Sequence, residues 1–86
     1  MNFLNYEVST GPNSVIEVIL SGNAANVQVM DESNFQSFRS GRSHRHYGGY
    51  YTQSPILIKV PSGRWHVVVH LGGTAGHVSA TVTVRG

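Results

Sequence analysis

The sequence has 86 residues, a formal net charge of +2 and no cysteine. This length allows one small hydrophobic core, and the lack of cysteine excludes disulfides and thiolate zinc sites. Charged residues make up 12% of the chain, about half the usual fraction, so serine, threonine, asparagine and glycine must cover much of the surface.

Apolar and polar residues alternate with a period of two along most of the chain, which predicts β-strands. The first strand is expected at residues 4–8, the second at 15–20 and the third at 25–30. Residues 10–14 have the composition of a turn. The second strand is apolar on both sides of Glu17, which predicts that it is covered on both faces near its end.

Residues 31–42 break this pattern and predict one or two turns of helix. Asp31 or Ser33 can cap the first turn. Phe35 and Phe38 lie three positions apart and so share one helical face. The glycine that follows is expected to end the helix.

Alternation is lost again over residues 42–54, which predict a long irregular loop between the third and fourth strands. Strands resume at 56–60, 65–71 and 78–85. Together these elements predict an all-β fold. We expect residues 1–86 to form a single domain, a small antiparallel β-sandwich or flattened barrel of five to seven strands with one short helical turn and a long loop.

The strand at 65–71 carries two different faces. Trp65 begins the inward face, where we expect it to pack in the core. His66, Val68 and His70 form the outward face, and the simplest interpretation makes these histidines surface residues. Because this face includes a valine, the loop at 42–54 or another chain could also cover it.

The most distinctive feature of the sequence is a segment rich in arginine, histidine and tyrosine. Arginine offers a planar fork to phosphate or carboxylate, and tyrosine offers a stacking face with a polar tip. This mixture is typical of sites for anionic small molecules or single-stranded nucleic acid, although a net charge of +2 is low for a strong nucleic-acid binder. The candidate ligand-binding residues are Arg39, Arg42, His44, Arg45, His46, Tyr47, Tyr50 and Tyr51.

A structural interpretation of this segment stays open. In it, the tyrosines pack the loop against the sandwich, and the arginines are solvated or pair with Asp31 and Glu32. These two acids are the last in the sequence, so no carboxylate is available from the second half of the chain.

Metal and catalytic chemistry have little support in the sequence. The weak candidates for metal ligands are His44, His46, His70 and His77. A metal site usually has three or four ligands, so neither a metal nor another cofactor is expected. No nucleophile elbow, P-loop or dinucleotide-binding glycine motif occurs. We therefore expect no enzyme, with a hydrolase or a metal-dependent enzyme as the alternatives.

Three stretches carry a family resemblance: Leu20-Ser-Gly-Asn-Ala-Ala-Asn-Val-Gln-Val-Met-Asp-Glu-Ser-Asn-Phe, Tyr47-Gly-Gly-Tyr-Tyr and Trp65-His-Val-Val-Val-His-Leu-Gly-Gly. Together they resemble a bacterial family catalogued as domain of unknown function 1883, over almost the whole chain. The resemblance implies a small β-rich domain that stands alone or beside other domains, TIR domains among them. It implies no activity and no functional residues.

The sequence thus predicts a non-enzymatic binding or protein-interaction module whose partner is an unknown protein or an anionic small molecule. Nucleic acid is a weaker candidate partner. The start of the chain lacks a signal peptide and no apolar run could span a membrane, so we expect a cytoplasmic protein. The alternatives are a carbohydrate- or nucleotide-binding β-sandwich module and a structural or oligomerisation domain, for example a homodimer.

Overall fold

The computed structural model describes residues 2–86, which form two antiparallel sheets and one helix. The four-stranded sheet has the order β1-β6-β3-β4, and the three-stranded sheet has the order β5-β2-β7. This architecture confirms the predicted small all-β sandwich. The elements are β1 (Leu4–Thr10), β2 (Val15–Gly22), β3 (Ala25–Met30), α1 (Glu32–Arg39), β4 (Tyr47–Tyr51), β5 (Ile56–Ile58), β6 (Gly63–His70) and β7 (Val78–Arg85).

The main core lies between the two sheets and follows from the strand alternation. Val27 of β3 and Val67 of β6 are fully buried, and they face Ile16 and Val18 of β2. Alternate side chains of a strand point to one face, so the valines of both strands reach the same core. Trp65 is half-buried and packs against this cluster, which confirms its predicted inward position.

A second apolar layer forms where α1 covers the outer face of the four-stranded sheet. Phe35 and Phe38 of the helix pack with Val68 of β6, as expected for two phenylalanines on one helical face. His66 and His70 beside that valine are therefore only 7% and 8% exposed. The prediction that they are surface histidines is wrong, because the helix covers them.

The outer face of the three-stranded sheet has no such cover within residues 2–86. Ile19 of β2 is 45% exposed and Leu57 of β5 is 63% exposed, so the prediction that the second strand is covered on both faces is also wrong. Glu17 on this face accepts hydrogen bonds from Arg85 of β7. The single helix of this region covers the other sheet, and these apolar side chains stay in solvent.

Strand β4 interrupts the long loop predicted at residues 42–54. It pairs antiparallel with β3, so that Tyr47 lies opposite Val29. Gly48 has a φ of 110°, and a Cβ there would overlap the carbonyl oxygen of Val27. Glycine is required at this close approach of two strands. The same glycines removed the apolar alternation that would have revealed the strand.

Candidate functional site

The predicted basic and aromatic residues lie around the entrance to β4, next to the start of α1. The helix begins at Asp31, whose carboxylate accepts hydrogen bonds from the backbone N–H and the side-chain amide of Asn34, both at 2.9 Å. The Asn34 side-chain oxygen in turn accepts the backbone N–H of Arg45 at 2.7 Å. Asn34 thus ties the first helical turn to the chain that enters β4.

The three arginines of the candidate set are not brought together on one surface. The Arg39 guanidinium lies 5.7 Å from the centre of the Phe35 ring. Arg42 donates its backbone N–H to the carbonyl of Ser37, and Arg45 is bonded to Asn34. Their helix partners, Ser37 and Asn34, lie on the opposite side of α1 from Arg39, about 140° or more around the helix axis. Only Arg42 and Arg45 therefore belong to the β4 side of α1.

A groove of about 410 Å³ opens where β3 ends and β4 begins. One wall is an edge-to-face pair of aromatic rings, Tyr47 and Trp65, with their centroids 5.6 Å apart. The Trp65 indole N–H donates to the carbonyl of Pro61, which fixes the ring. We call this site the basic groove, and its polar and aromatic lining consists of Asp31, Asn34, Arg45, His46, Tyr47 and Trp65.

The carboxylates near the groove are engaged elsewhere. Hydrogen bonds from Asn34, first its backbone N–H and then its side chain, hold the pKa of Asp31 below the ordinary value. Glu32 accepts hydrogen bonds from Gln36 and His66. Within residues 2–86, Arg42 and Arg45 form no ion pair. The predicted ion pairs between the arginines and Asp31 or Glu32 are therefore not formed within residues 2–86.

His44 and His46 lie close together, as expected for alternate residues of an extended segment, with ring centroids 5.4 Å apart. His44 Nε2 lies 2.9 Å from the side-chain oxygen of Gln28, and its ring meets Phe38 edge-on at 5.3 Å. Partial loss of hydration, and secondarily the nearby His44 ring, lower the pKa of His46. The His46 ring in the groove is therefore harder to protonate than an ordinary imidazole.

The weak metal candidates do not assemble into a site. Across residues 2–86, no group of three or more histidine, aspartate or glutamate side chains is placed to hold a metal ion. His70 Nδ1 accepts the backbone N–H of Gly72 at 3.0 Å, so the proton resides on Nε2. This ring has no free lone pair for a metal. His77 lies apart in the β6–β7 loop, where its backbone N–H donates to Asn23.

The remaining candidates lie at the far end of β4. Tyr50 is 64% exposed and lies opposite Asn26, whereas Tyr51 is half-buried and packs against the main core. At roughly 3.3 Å per residue, Tyr51 is about 13 Å from Tyr47 along the strand. These two tyrosines are thus outside the basic groove.

Sequence reasoning missed a polar cluster at the edge of the helix, in which buried His66 meets the exposed side chains of Glu32 and Asn5. His66 Nε2 lies 2.7 Å from a carboxylate oxygen of Glu32, and Nδ1 lies 3.1 Å from the side-chain oxygen of Asn5. Phe35 stacks on the same imidazole with a centroid distance of 3.9 Å. No spacing in the sequence could have joined three residues that are so far apart along the chain. The cluster attaches α1 to the sheet.

A cavity of about 560 Å³ was also not predicted. It lies between Phe3 and the glycine-rich β6–β7 loop, and His70 forms part of its wall. Its remaining lining is mostly apolar side chains and glycine backbone. The cavity carries no arginine or lysine, so it lacks the cations that distinguish the basic groove.

Comparisons with known proteins gave one match. A family model described as "Domain of unknown function (DUF1883)" matches residues 1–85, which confirms the resemblance found in the sequence. No curated protein and no solved structure matches the chain. The only helix in residues 2–86 is too short to cross a membrane.

Proposed function

Because the chain belongs to the DUF1883 family, whose description names no function, we propose a function from geometry: it is a non-enzymatic binding module that holds an anionic ligand in the basic groove. The observation that carries this proposal is Arg45, which is exposed, forms no ion pair within residues 2–86 and lines the groove with the Tyr47–Trp65 ring pair. Arg42, three residues earlier, is also exposed and forms no ion pair within residues 2–86.

The chemistry of the groove supports an anionic ligand. A guanidinium binds phosphate or carboxylate through two parallel hydrogen bonds, and Arg45 lines the groove. Asp31 on the rim accepts both hydrogen bonds from Asn34 at Oδ1, and within residues 2–86 it forms no ion pair with Arg45. The volume of about 410 Å³ lies within the usual range for small-molecule sites.

The lining favours binding over catalysis. It includes no serine, threonine or lysine, which are common nucleophiles. Its one imidazole, His46, makes no hydrogen bond with a carboxylate that would orient it within residues 2–86. The partner is an unknown protein or an anionic small molecule, and a chain without cysteine suits the reducing bacterial cytoplasm.

The test uses inorganic pyrophosphate as the probe and NMR titration of the labelled protein as the measurement. We expect saturable shifts of the Arg45 and Tyr47 amides and of the Trp65 indole N–H. The double variant Arg42→Gln/Arg45→Gln should weaken binding at least about tenfold.

The matched control is Arg39→Gln/Lys59→Gln, which removes the same charge at exposed positions away from the groove. It should bind nearly as well as the parent protein. Equal weakening in both double variants would mean that pyrophosphate senses only net charge, and unchanged binding in the groove variant would overturn the proposal.

A further inference from the structure

Strand β4 is a free edge of the four-stranded sheet and begins at the basic groove. It pairs with β3 on one side, and no other hydrogen bond within residues 2–86 reaches its backbone. An edge strand presents N–H and C=O groups that can pair with another chain. We propose that this edge pairs with an extended acidic segment of a partner protein, an inference that rests on the anion-binding function proposed for the groove.

The other three edges fit an acidic segment less well. In β7, the carbonyl of Ala80 already accepts the hydroxyl of Tyr6 at 3.2 Å, and the one arginine of the strand, Arg85, is bonded to Glu17. Strand β5 has three residues and lies between Pro55 and Pro61, which lack the N–H that pairing requires. Strand β1 exposes Glu7, which would repel an acidic segment.

Strand β4 lacks the features that usually protect an edge. It contains no charged residue and no proline, and these are the common means of preventing strand addition. A Cβ at Gly49 would meet no atom within 4 Å, so the face of the sheet beside this residue is uncrowded. Strand β4 is therefore an unprotected edge.

Two exposed tyrosines add side-chain contacts on both faces of the sheet. Tyr47 is 44% exposed and lies opposite Val29, on the face of the main core, whereas Tyr50 is 64% exposed and lies opposite Asn26, on the outer face. An added strand would place its alternate side chains beside these two rings. Such cross-strand contacts distinguish strand addition from simple charge attraction.

The arginines before β4 favour a partner segment that contains acidic residues. Arg45 lies just before β4 and Arg42 lies one short segment earlier, and every acidic residue of the chain lies at or before Glu32. A segment that pairs with β4 and continues past Tyr47 reaches these arginines, where glutamate or aspartate would satisfy them. A row of free amide and carbonyl groups fits a peptide backbone, and this favours an acidic peptide over a nucleic acid.

The experiment compares labelled peptides of about eight residues by fluorescence anisotropy. The test peptide alternates glutamate and threonine, and its charge-reversed partner alternates lysine and threonine. Two further acidic peptides are N-methylated, the first at every threonine and the second at every glutamate. Both are needed because alternate residues of an added strand direct their N–H groups to opposite edges, and only one edge faces β4. N-methylation keeps the charge and removes hydrogen-bond donors.

We expect the acidic peptide to bind, the lysine peptide to fail, and one N-methylated peptide to bind at least about tenfold more weakly. Amide exchange in β4 should slow in the complex. Equal binding of all acidic peptides would overturn strand pairing while leaving the groove proposal intact. If pyrophosphate binds and no peptide does, strand pairing is likewise overturned and the groove proposal stands. If a single-stranded oligonucleotide binds more tightly than the acidic peptide, the partner is a nucleic acid and the peptide proposal is overturned.

A pair of protein variants completes the test. Tyr50 and Leu57 are almost equally exposed, at 64% and 63%, so replacing either with alanine should leave the fold intact. Tyr50→Ala should weaken the acidic peptide several-fold, and Leu57→Ala on the three-stranded sheet should not. The same loss in both variants would contradict the location at β4. Pyrophosphate binding should be unchanged in both, because neither residue lines the groove.

Discussion

A buried histidine lies at each end of the interface between α1 and the four-stranded sheet, but the two histidines differ in their hydrogen bonds. His66 and His70 lie four residues apart on one face of β6, and both are more than nine-tenths buried. Phe35 stacks on the first imidazole at a centroid distance of 3.9 Å, and Phe38 lies tilted over the second at 5.5 Å. The two imidazoles are therefore equally buried, and the aromatic contact is closer at His66.

The difference lies in the hydrogen bonds of the two rings. Both ring nitrogens of His66 have oxygen partners, from Asn5 and Glu32. His70 accepts one N–H from Gly72, and its Nε2 is buried without a partner within residues 2–86. A buried polar atom without a hydrogen bond lowers stability. The His66 end thus anchors the helix, and the His70 end is the weaker one.

The charged neighbours of the two rings also favour the His66 end. Glu32 lies against His66, and hydrogen bonds from Gln36 and then His66 lower the pKa of this carboxyl. The titratable neighbours of His70 are the imidazoles of His44 and His46, and burial together with these rings lowers its pKa. The Glu32 carboxylate therefore stabilises the His66 end of the interface. At the His70 end, protonated imidazoles would repel one another.

The largest effect is expected from removing the stacked phenylalanine. Phe35→Ala should lower the free energy of unfolding by about 3 kcal/mol, because it opens a cavity over His66 and removes the best aromatic contact of the helix. Phe38→Ala should cost less, since this ring is more exposed and tilted. Urea unfolding measures both, and a larger loss for Phe38→Ala would reverse the ranking of the two ends.

A smaller contrast is expected from the histidines themselves. His66→Leu should lower the free energy of unfolding by about 1–2 kcal/mol, because the polar contacts with Glu32 and Asn5 are lost. His70→Leu should change it by less than about 1 kcal/mol, since losing the bond from Gly72 is offset by removing the unpartnered Nε2. Thermal and urea unfolding at neutral pH check this pair. Equal losses would show that the orphaned nitrogen has a partner in solution, such as water.

The smallest effect is a dependence of stability on pH. Because the pKa values of His70 and His46 are lowered in the folded chain, the unfolded chain takes up protons first. The free energy of unfolding should therefore be steady above the ordinary pKa of 6.5 and should fall as the pH is lowered below it.

Unfolding in urea from about pH 7.5 to about pH 5 measures this decline. His70→Leu should flatten it, because the variant removes one of the two protonation sites. His77→Gln is the matched control, since this histidine is exposed in the β6–β7 loop and its loss should leave the decline unchanged. A profile as steep in His70→Leu as in the parent chain would contradict the assignment to His70.

Most of the strands could be predicted, because each depends on local alternation. The inward set of β6 follows directly from the valines that recur every second residue, and the helix follows from Asp31 and the spaced phenylalanines. Strand β4 could not be predicted in this way. Gly48 is explained by the close approach of β3, a contact that is absent from any local pattern.

The candidate site was predicted in composition but not in arrangement. The sequence by itself determined that arginine, histidine and tyrosine are concentrated near residues 38–51 and that the acids lie elsewhere. Tertiary structure alone decided that α1 separates Arg39 from Arg45, that Trp65 joins the groove, and that His66 is buried. Residue type and spacing act over one turn or one strand, whereas these features depend on which face of the sheet the helix covers.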